Sequence, residues 1–116
     1  MIKLIIYRTG RFEWYKFTSP KNQMVGNIAL HRLNGPAVKD YTGYEAWYND
    51  GCIHRTGGPA VSSTSGYNAY WVNNQRHRID GPAIVHHDGD FEYWINGKIL
   101  SEYEFMFHST NMQNND

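Results

Sequence analysis

The sequence predicts an all-β protein: a single twisted antiparallel meander of stacked hairpin repeats, closed by a short C-terminal helix. Three observations carry this. His31-Arg32, His54-Arg55 and His77-Arg78 recur every 23 residues. Gly-Pro-Ala follows each in register at residues 35–37, 58–60 and 81–83, and an apolar residue follows that: Val38, Val61 and Ile84. Asp50-Gly51 and Asn96-Gly97, with Asn73-Asn74 as a weaker version, supply the two consecutive positive φ angles of a type I′ hairpin turn. Several columns in step over 116 residues define a repeat protein in one domain.

Taken in order, the apolar run 2–7, broken by Lys3, predicts a first strand. It is too short for a signal-peptide core or a membrane span. The stretch from Gly10 to Trp14 and Tyr15 resembles the aromatic strand of a repeat. However, Gly10 precedes His31 by 21 residues where Gly43 precedes His54 by 11, so residues 1–30 are an atypical repeat with a ten-residue insertion that includes residues 19–26. Residues 31–97 hold three repeats. In the clearest copy the strands are residues 44–48 and 59–63, joined by an ordered connector carrying Cys52 to Arg55. Two strands per repeat are expected although each repeat has three turn signals, because identical neighbours need an even number of antiparallel strands. Pro36, Pro59 and Pro82 lack an amide and belong at strand starts.

After Asn96-Gly97 the pattern stops. Ser101 and Glu104 form a capping box, which predicts a capping segment over residues 98–109 with a helix at 103–108, and a polar, frayed tail at 110–116. Val38, Val61 and Ile84 are expected in the core, with one residue of each aromatic pair: Trp47-Tyr48, Tyr70-Trp71 and Tyr93-Trp94. Neighbours on a strand face opposite sides, so the other aromatic of each pair faces away. Phe105 and Phe107 of the helix, or the insertion, are candidates to cover it.

Lys plus Arg and Asp plus Glu both number 11. A neutral chain lacks the basic footprint of a nucleic-acid-binding protein and has no bulk attraction to anionic membranes. Cys52 is the single cysteine, which excludes an internal disulfide and a cysteine zinc site and points to a reducing, cytoplasmic compartment.

The stretch from Tyr44 through Trp47, Asp50-Gly51 and His54-Arg55 resembles the "membrane occupation and recognition nexus" (MORN) repeat. That family has a similar period, an aromatic strand, an Asn/Asp-Gly turn and a His after it. The chain is similar to a divergent variant in which His-Arg-x-x-Gly-Pro-Ala replaces His-Gly-x-Gly, known from small viral, phage and bacterial proteins. The family's Gly after His is Arg32, Arg55 and Arg78 here. The resemblance implies a repeat scaffold, and a scaffold does not specify function.

Catalytic motifs are absent, and no enzyme activity or cofactor is expected. Cys52 and His54 could form a dyad in principle, but the positions equivalent to Cys52 are Gln75 and Lys98, so the column tolerates anything. His31, His54 and His77 should lie roughly 10 Å apart, too far to share a metal ion, so each is expected to hydrogen-bond its own connector. His86-His87 beside Asp88 cannot converge on one ion from opposite faces of a strand. No metal site is expected. Arg32, Arg55 and Arg78 form a row that either meets an anionic ligand or acidic protein surface, or caps connector carbonyls and stacks on aromatics. With Trp47, Trp71 and Trp94 they are the candidate partner-binding residues; His31, His54, His77, Gly35, Gly58 and Gly81 are the structural ones. The expected function is a non-catalytic binding module that masks a protein partner or associates with itself as a homo-oligomer. The alternative is capture of a small phosphorylated ligand, such as a nucleotide, by the arginines.

Overall fold

The structure, a computed structural model, describes residues 2–18 and 27–113. The expected insertion at 19–26 lies outside them. The fold is an antiparallel β meander with one C-terminal helix, as expected. Its strands are β1 (Ile2–Ile6), β2 (Phe12–Thr18), β3 (Asn27–Leu30), β4 (Val38–Lys39), β5 (Glu45–Ala46), β6 (Tyr48–Asn49) and β7 (Cys52–Ile53). They continue with β8 (Val61–Ser62), β9 (Asn68–Ala69), β10 (Trp71–Val72), β11 (Gln75–Arg76), β12 (Ile84–Val85), β13 (Phe91–Ile95) and β14 (Lys98–Leu100), followed by helix α1 (Glu102–Gln113).

The main sheet runs in the order β1-β2-β4-β5-β8-β9-β12-β13-β14, with β3 paired to β2. Each repeat adds two short strands to it, as the even-number argument requires. The connector is itself structured. β6 pairs with β7 and β10 with β11 as separate two-stranded ladders around the type I′ turns. Asp50, Asn73, Asn74 and Asn96 accordingly take positive φ, as do Gly51 and Gly97. Of the three turn signals in each repeat, the one before Gly-Pro-Ala is a bend, at residues 33–35, 56–58 and 79–81. The first two repeats hold four strand segments each; in the third, β13 runs unbroken through the aromatic pair, so three strands cover the same span.

The N-terminal unit obeys the same plan. Gly10 closes a turn by donating its amide N–H to the Tyr7 carbonyl, as Gly43 does to Asp40, Gly66 to Ser63 and Gly89 to His86. Tyr15 pairs with Leu30 as Tyr48 pairs with Ile53, and β2 and β3 stay paired out to Thr18 and Asn27. The ten extra residues thus fall between the two strands of this unit's hairpin, where the other units have a two-residue turn.

Val38, Val61 and Ile84 are buried, as expected, with Ala46 and Ala69 between them. The expectation that one aromatic of each pair is buried fails. Trp47, Tyr48, Tyr70, Trp71, Tyr93 and Trp94 are all half-buried. The fold is only 20 Å thick in its thinnest dimension, and among the described residues no large side chain is fully enclosed. A thin sheet of two-residue strands shields alanine and valine on its inner face, but an indole extends beyond that cover. Tyr48, Trp71 and Trp94, with Leu30 and Ile53, instead close the open side of the small core from the hairpin row.

At the C-terminus, β14 completes a last hairpin with β13 over residues 98–100, a span expected within the cap. The capping box is reciprocal: the Ser101 amide donates to Glu104 Oε1 and the Glu104 amide to Ser101 Oγ, both at 3.1 Å. The helix runs to Gln113, which corrects its expected end at 108 and takes in the first residues of the expected tail, whose residues 114–116 lie outside the described ones. No helix of the described residues is long and apolar enough to cross a membrane.

Candidate functional site

The His-Arg-x-x-Gly-Pro-Ala motif resolves into one unit made three times. Each arginine stands over an aromatic ring contributed from earlier in the chain. The guanidinium carbon is 4.0 Å from the ring centroid in all three cases: Arg32 on Trp14, Arg55 on Trp47 and Arg78 on Tyr70. Its Nη1 donates to the carbonyl of Pro36, Pro59 or Pro82 at 3.1–3.2 Å. The motif glycine is there to leave room. A Cβ on Gly35, Gly58 or Gly81 would stand 2.7, 2.9 or 3.0 Å from that guanidinium carbon. The following Ala37, Ala60 and Ala83 are fully buried. The arginines therefore hold the scaffold by stacking and carbonyl capping, one of their two expected roles.

The histidines are structural too, but their partner is not their own connector. His31 Nδ1 accepts the Asp50 amide at 2.9 Å, His54 Nδ1 the Asn73 amide at 3.1 Å and His77 Nδ1 the Asn96 amide at 2.9 Å. Each bond crosses 19 residues to the hairpin turn of the next unit, so the column fastens neighbours together. Backbone bonds run the same way, from the amides of Gly51, Asn74 and Gly97 to the carbonyls of Leu30, Ile53 and Arg76. Among the described residues no three His, Cys, Asp or Glu side chains converge to hold a metal ion. His86 turns instead to Glu92, 2.6 Å away.

The three candidate tryptophans do not share a surface. Trp47 lies in the column of Trp14, Tyr70 and Tyr93, of which the first three rings along the chain lie under the arginines. Trp71 and Trp94 lie one position later, in the column of Tyr48, against the core. The order inside the pair switches from Trp-Tyr to Tyr-Trp after the first repeat, and a one-residue offset reverses the face. Arg55 is thus with Trp47, while Trp71 and Trp94 flank a different arginine, Arg76, at 4.9 and 4.7 Å. Its equivalents are Leu30, Ile53 and Ile99, so Arg76 breaks an apolar column, and that substitution was the available signal.

Two equivalent grooves open along the arginine row. One lies between Arg32 and Arg55 beside Trp47 and His54; the other lies one repeat on, between Arg55 and Arg78 beside Tyr70 and His77. Leu33, 73% exposed, follows Arg32 in the first groove and Ile79, 48% exposed, follows Arg78 in the second, while Thr56, the equivalent residue of the middle repeat, lines both.

At each end a carboxylate occupies the column that is Ala46 and Ala69 inside. Glu13, only 6% exposed, accepts the hydroxyls of Tyr15 at 2.6 Å and Tyr7 at 2.9 Å and pairs with Arg11 at 2.6 Å. Burial pushes its carboxyl up, but those hydrogen bonds and the Arg11 charge outweigh it and hold the group below its ordinary value. The Glu13 bond and burial together push the Tyr15 phenol far up. Glu92 takes the His86 ring at 2.6 Å and the Trp94 indole N–H at 2.9 Å, and these two bonds hold it low.

One surface remains unfilled. β1 ends the strand order, and among the described residues it pairs only with β2. Ile2, Leu4 and Ile6 on one face of it are 49%, 44% and 62% exposed. The chain matches no protein-family model, no curated protein and no solved structure.

Proposed function

We propose that the protein is a non-catalytic, MORN-like binding module that works by protein–protein contact at its N-terminal edge, with a second copy of the chain as the occupant. The observation that carries this reading is the apolar outer edge of β1. An open strand presents unpaired amides and carbonyls, and natural proteins cover or charge such edges. Here Lys3 is the only charge within β1, while three large aliphatic side chains stand half in water. Addition of another strand satisfies the backbone and covers the side chains together. A two-fold antiparallel pairing centred on Leu4 sets Ile2 opposite Ile6 and Lys3 opposite Ile5, so the lysines of the two copies do not face each other. Two-fold pairing is the commonest symmetric solution.

Light scattering across the micromolar range tests it. The expected mass is twice the 13.5 kDa of the chain, falling to the single mass in Leu4→Lys. A single mass at every concentration removes self-association and leaves another protein as the occupant of the edge. A cytoplasmic site of action and a viral, phage or bacterial setting belong to this same proposal.

A second reading has one observation in its favour, the two grooves between successive arginines. A small phosphorylated ligand, such as a nucleotide, would meet the Nη2 groups there, since each Nη1 is engaged with a proline carbonyl. A rise in melting temperature with nucleotide that is lost in Arg55→Leu supports it; no rise at millimolar nucleotide removes it.

A further inference from the structure

On the core side of the hairpin row, far in role from both the β1 edge and the stacked arginines, Arg76 sits in a groove of a different kind. Its guanidinium lies between the indoles of Trp71 and Trp94. Gln75, Asn74 and Asn96 complete the lining. Unlike Arg32, Arg55 and Arg78, Arg76 caps no carbonyl. Its Nε is buried with no acceptor, and among the described residues its side chain makes no hydrogen bond. Guanidinium groups carry five N–H donors, and leaving a buried one unmet costs free energy. The equivalent positions are Leu30, Ile53 and Ile99, so the scaffold does not require a cation here. An arginine at this point costs stability that an aliphatic side chain would not.

We propose that this groove is a binding site for a carboxylate carried on a flat or apolar body, such as the C-terminal carboxylate of a peptide. The guanidinium matches a carboxylate in bidentate geometry through its Nη groups. The indole walls supply apolar, π-rich contact for the body of the ligand, and the Gln75 and Asn96 amides supply polar contacts at the rim. Charge selects a monoanion over a phosphate ester. Glu92, bonded to Trp94 and attracted to Arg76, is held ionised by its hydrogen bonds. With Glu92 beside Arg76 the groove is neutral before a ligand enters, so the single charge of a carboxylate is opposed by Glu92 less than the near-double charge of a phosphate is.

The test uses the intact chain and three small probes: N-benzoylglycine, its neutral amide, and phenyl phosphate. Binding is read from the indole N–H signals of the four tryptophans in nitrogen-labelled protein. The expected result is saturable movement of the Trp71 and Trp94 signals with the carboxylate, at least about tenfold weaker response to the amide and to phenyl phosphate, and little movement of Trp14 and Trp47. Arg76→Ile, which installs the residue already present at positions 53 and 99, should keep or raise the melting temperature and abolish the response. Should that variant fail to fold, the acid–amide comparison and the map of moved indoles in the unaltered chain still decide. The proposal is overturned by any of three results: no response at millimolar carboxylate, an equal response to the amide, or undiminished binding by Arg76→Ile.

Discussion

The interior repeats and the terminal ones solve the same problem with opposite chemistry. Inside, the column that faces the core is Ala46 and Ala69, 1% and 0% exposed, each held between neighbouring strands that supply Val38, Val61 and Ile84. At the ends the same column carries Glu13 and Glu92. Glu13 is flanked by Ile5 of β1 and Val38 of β4, whereas Glu92 is paired on one side only among the described residues, by Ile84. Each is met by a polar cluster: Tyr7, Tyr15 and Arg11 at one end, His86 and Trp94 at the other. The stacking column shows the same substitution. Arg32, Arg55 and Arg78 cover Trp14, Trp47 and Tyr70, but the position that would cover Tyr93 is Ser101, which caps the helix. Phe105 of that helix takes the place of the guanidinium, 4.3 Å from Tyr93 and nearly parallel to it. A repeat stack is thus held inside by small residues that let strands approach, and at its ends by polar clusters and, over Tyr93, by a helix ring that stands where the next arginine would.

The most damaging way to break this difference is to move an end residue inward. Ala69→Glu places a carboxylate in the dry interior column with none of the donors that Glu13 and Glu92 possess. Burial of a charge without partners is expected to cost about 3–5 kcal/mol, most of the stability of a small domain. Urea unfolding measures it. A midpoint within error of the parent would mean that the interior column is open to water and that the comparison has no basis.

A smaller effect tests the arginine stack. Gly58→Ala brings a methyl to within 2.9 Å of the Arg55 guanidinium carbon, which must swing away from Trp47 and leave the Pro59 carbonyl. The loss of a cation–π contact and a charged hydrogen bond amounts to about 1–2 kcal/mol. Arg55→Leu should cost a similar amount. The two losses should not add, because both remove one interaction. In the Arg55→Leu background Gly58→Ala should be nearly neutral, since Gly58 has negative φ and its glycine is required by the guanidinium alone. Additive losses in this double-mutant cycle would show that Gly58 serves the turn.

Much of this was legible in the sequence, and what was not has identifiable causes. The period, the turns, the Val38, Val61 and Ile84 column and the capping box follow from local rules of φ, alternation and helix ends. The arginine stack was narrowed to two roles but not decided, because Trp14 lies 18 residues before Arg32 and Trp47 only eight before Arg55. The insertion hides that equivalence until β2 and β3 are seen paired. The histidine bonds escaped because they connect successive units, whereas spacing within a unit speaks only of that unit. Grouping Trp47, Trp71 and Trp94 failed on a single residue of register. Arg76 was visible as the one charge in an aliphatic column, a signal that comparison of the repeats position by position would have found.

The terminal carboxylates predict a pH dependence that the alanine column inside does not share, beyond that of the exposed Asp40 and Asp50, whose carboxyls are also held low by hydrogen bonds from Thr42 and Lys16. Glu13 and Glu92 are held below the ordinary value of 4.5 in the folded chain. Below that value the unfolded chain binds protons before the folded one does, so stability rises with pH through this window. The contribution is complete above 4.5 and is lost as pH falls through the depressed folded values. The interior column, being alanine, has nothing to lose there. Acid unfolding of the parent should therefore be steeper than that of a Glu13→Gln, Glu92→Gln chain, and the gap between them should narrow as pH drops from 5 toward 2 (roughly the interval over which such carboxylates protonate). Parallel acid profiles would mean that neither carboxylate gains from its partners.

The smallest expected effect separates the turns themselves. Asp50-Gly51 and Asn96-Gly97 place glycine at the second positive-φ position, with φ of 79° in both. The middle turn instead places Asn74 there, with φ of 67°. Strain at an L-residue in this region costs about 1–2 kcal/mol, and less for Asn. Glycine would relieve it, so backbone geometry alone says that Asn74→Gly stabilises. Two losses oppose this. Asn74 Oδ1 accepts the Ile53 amide at 2.9 Å, a bond the turns ending in Gly51 and Gly97 do not make with a side chain, and at this exposed site it is worth about 0.5–1 kcal/mol. Glycine also gives the unfolded chain more freedom to lose. The sum should fall within about 0.5 kcal/mol of zero on the same scale. Asn74→Ala keeps the strain and discards the bond, so it should cost about 1–2 kcal/mol. Thermal unfolding of both variants sharpens the point: if glycine and alanine at position 74 behave alike, backbone strain does not govern these turns, and the Asn74 side chain bond alone explains why this repeat departs from its neighbours.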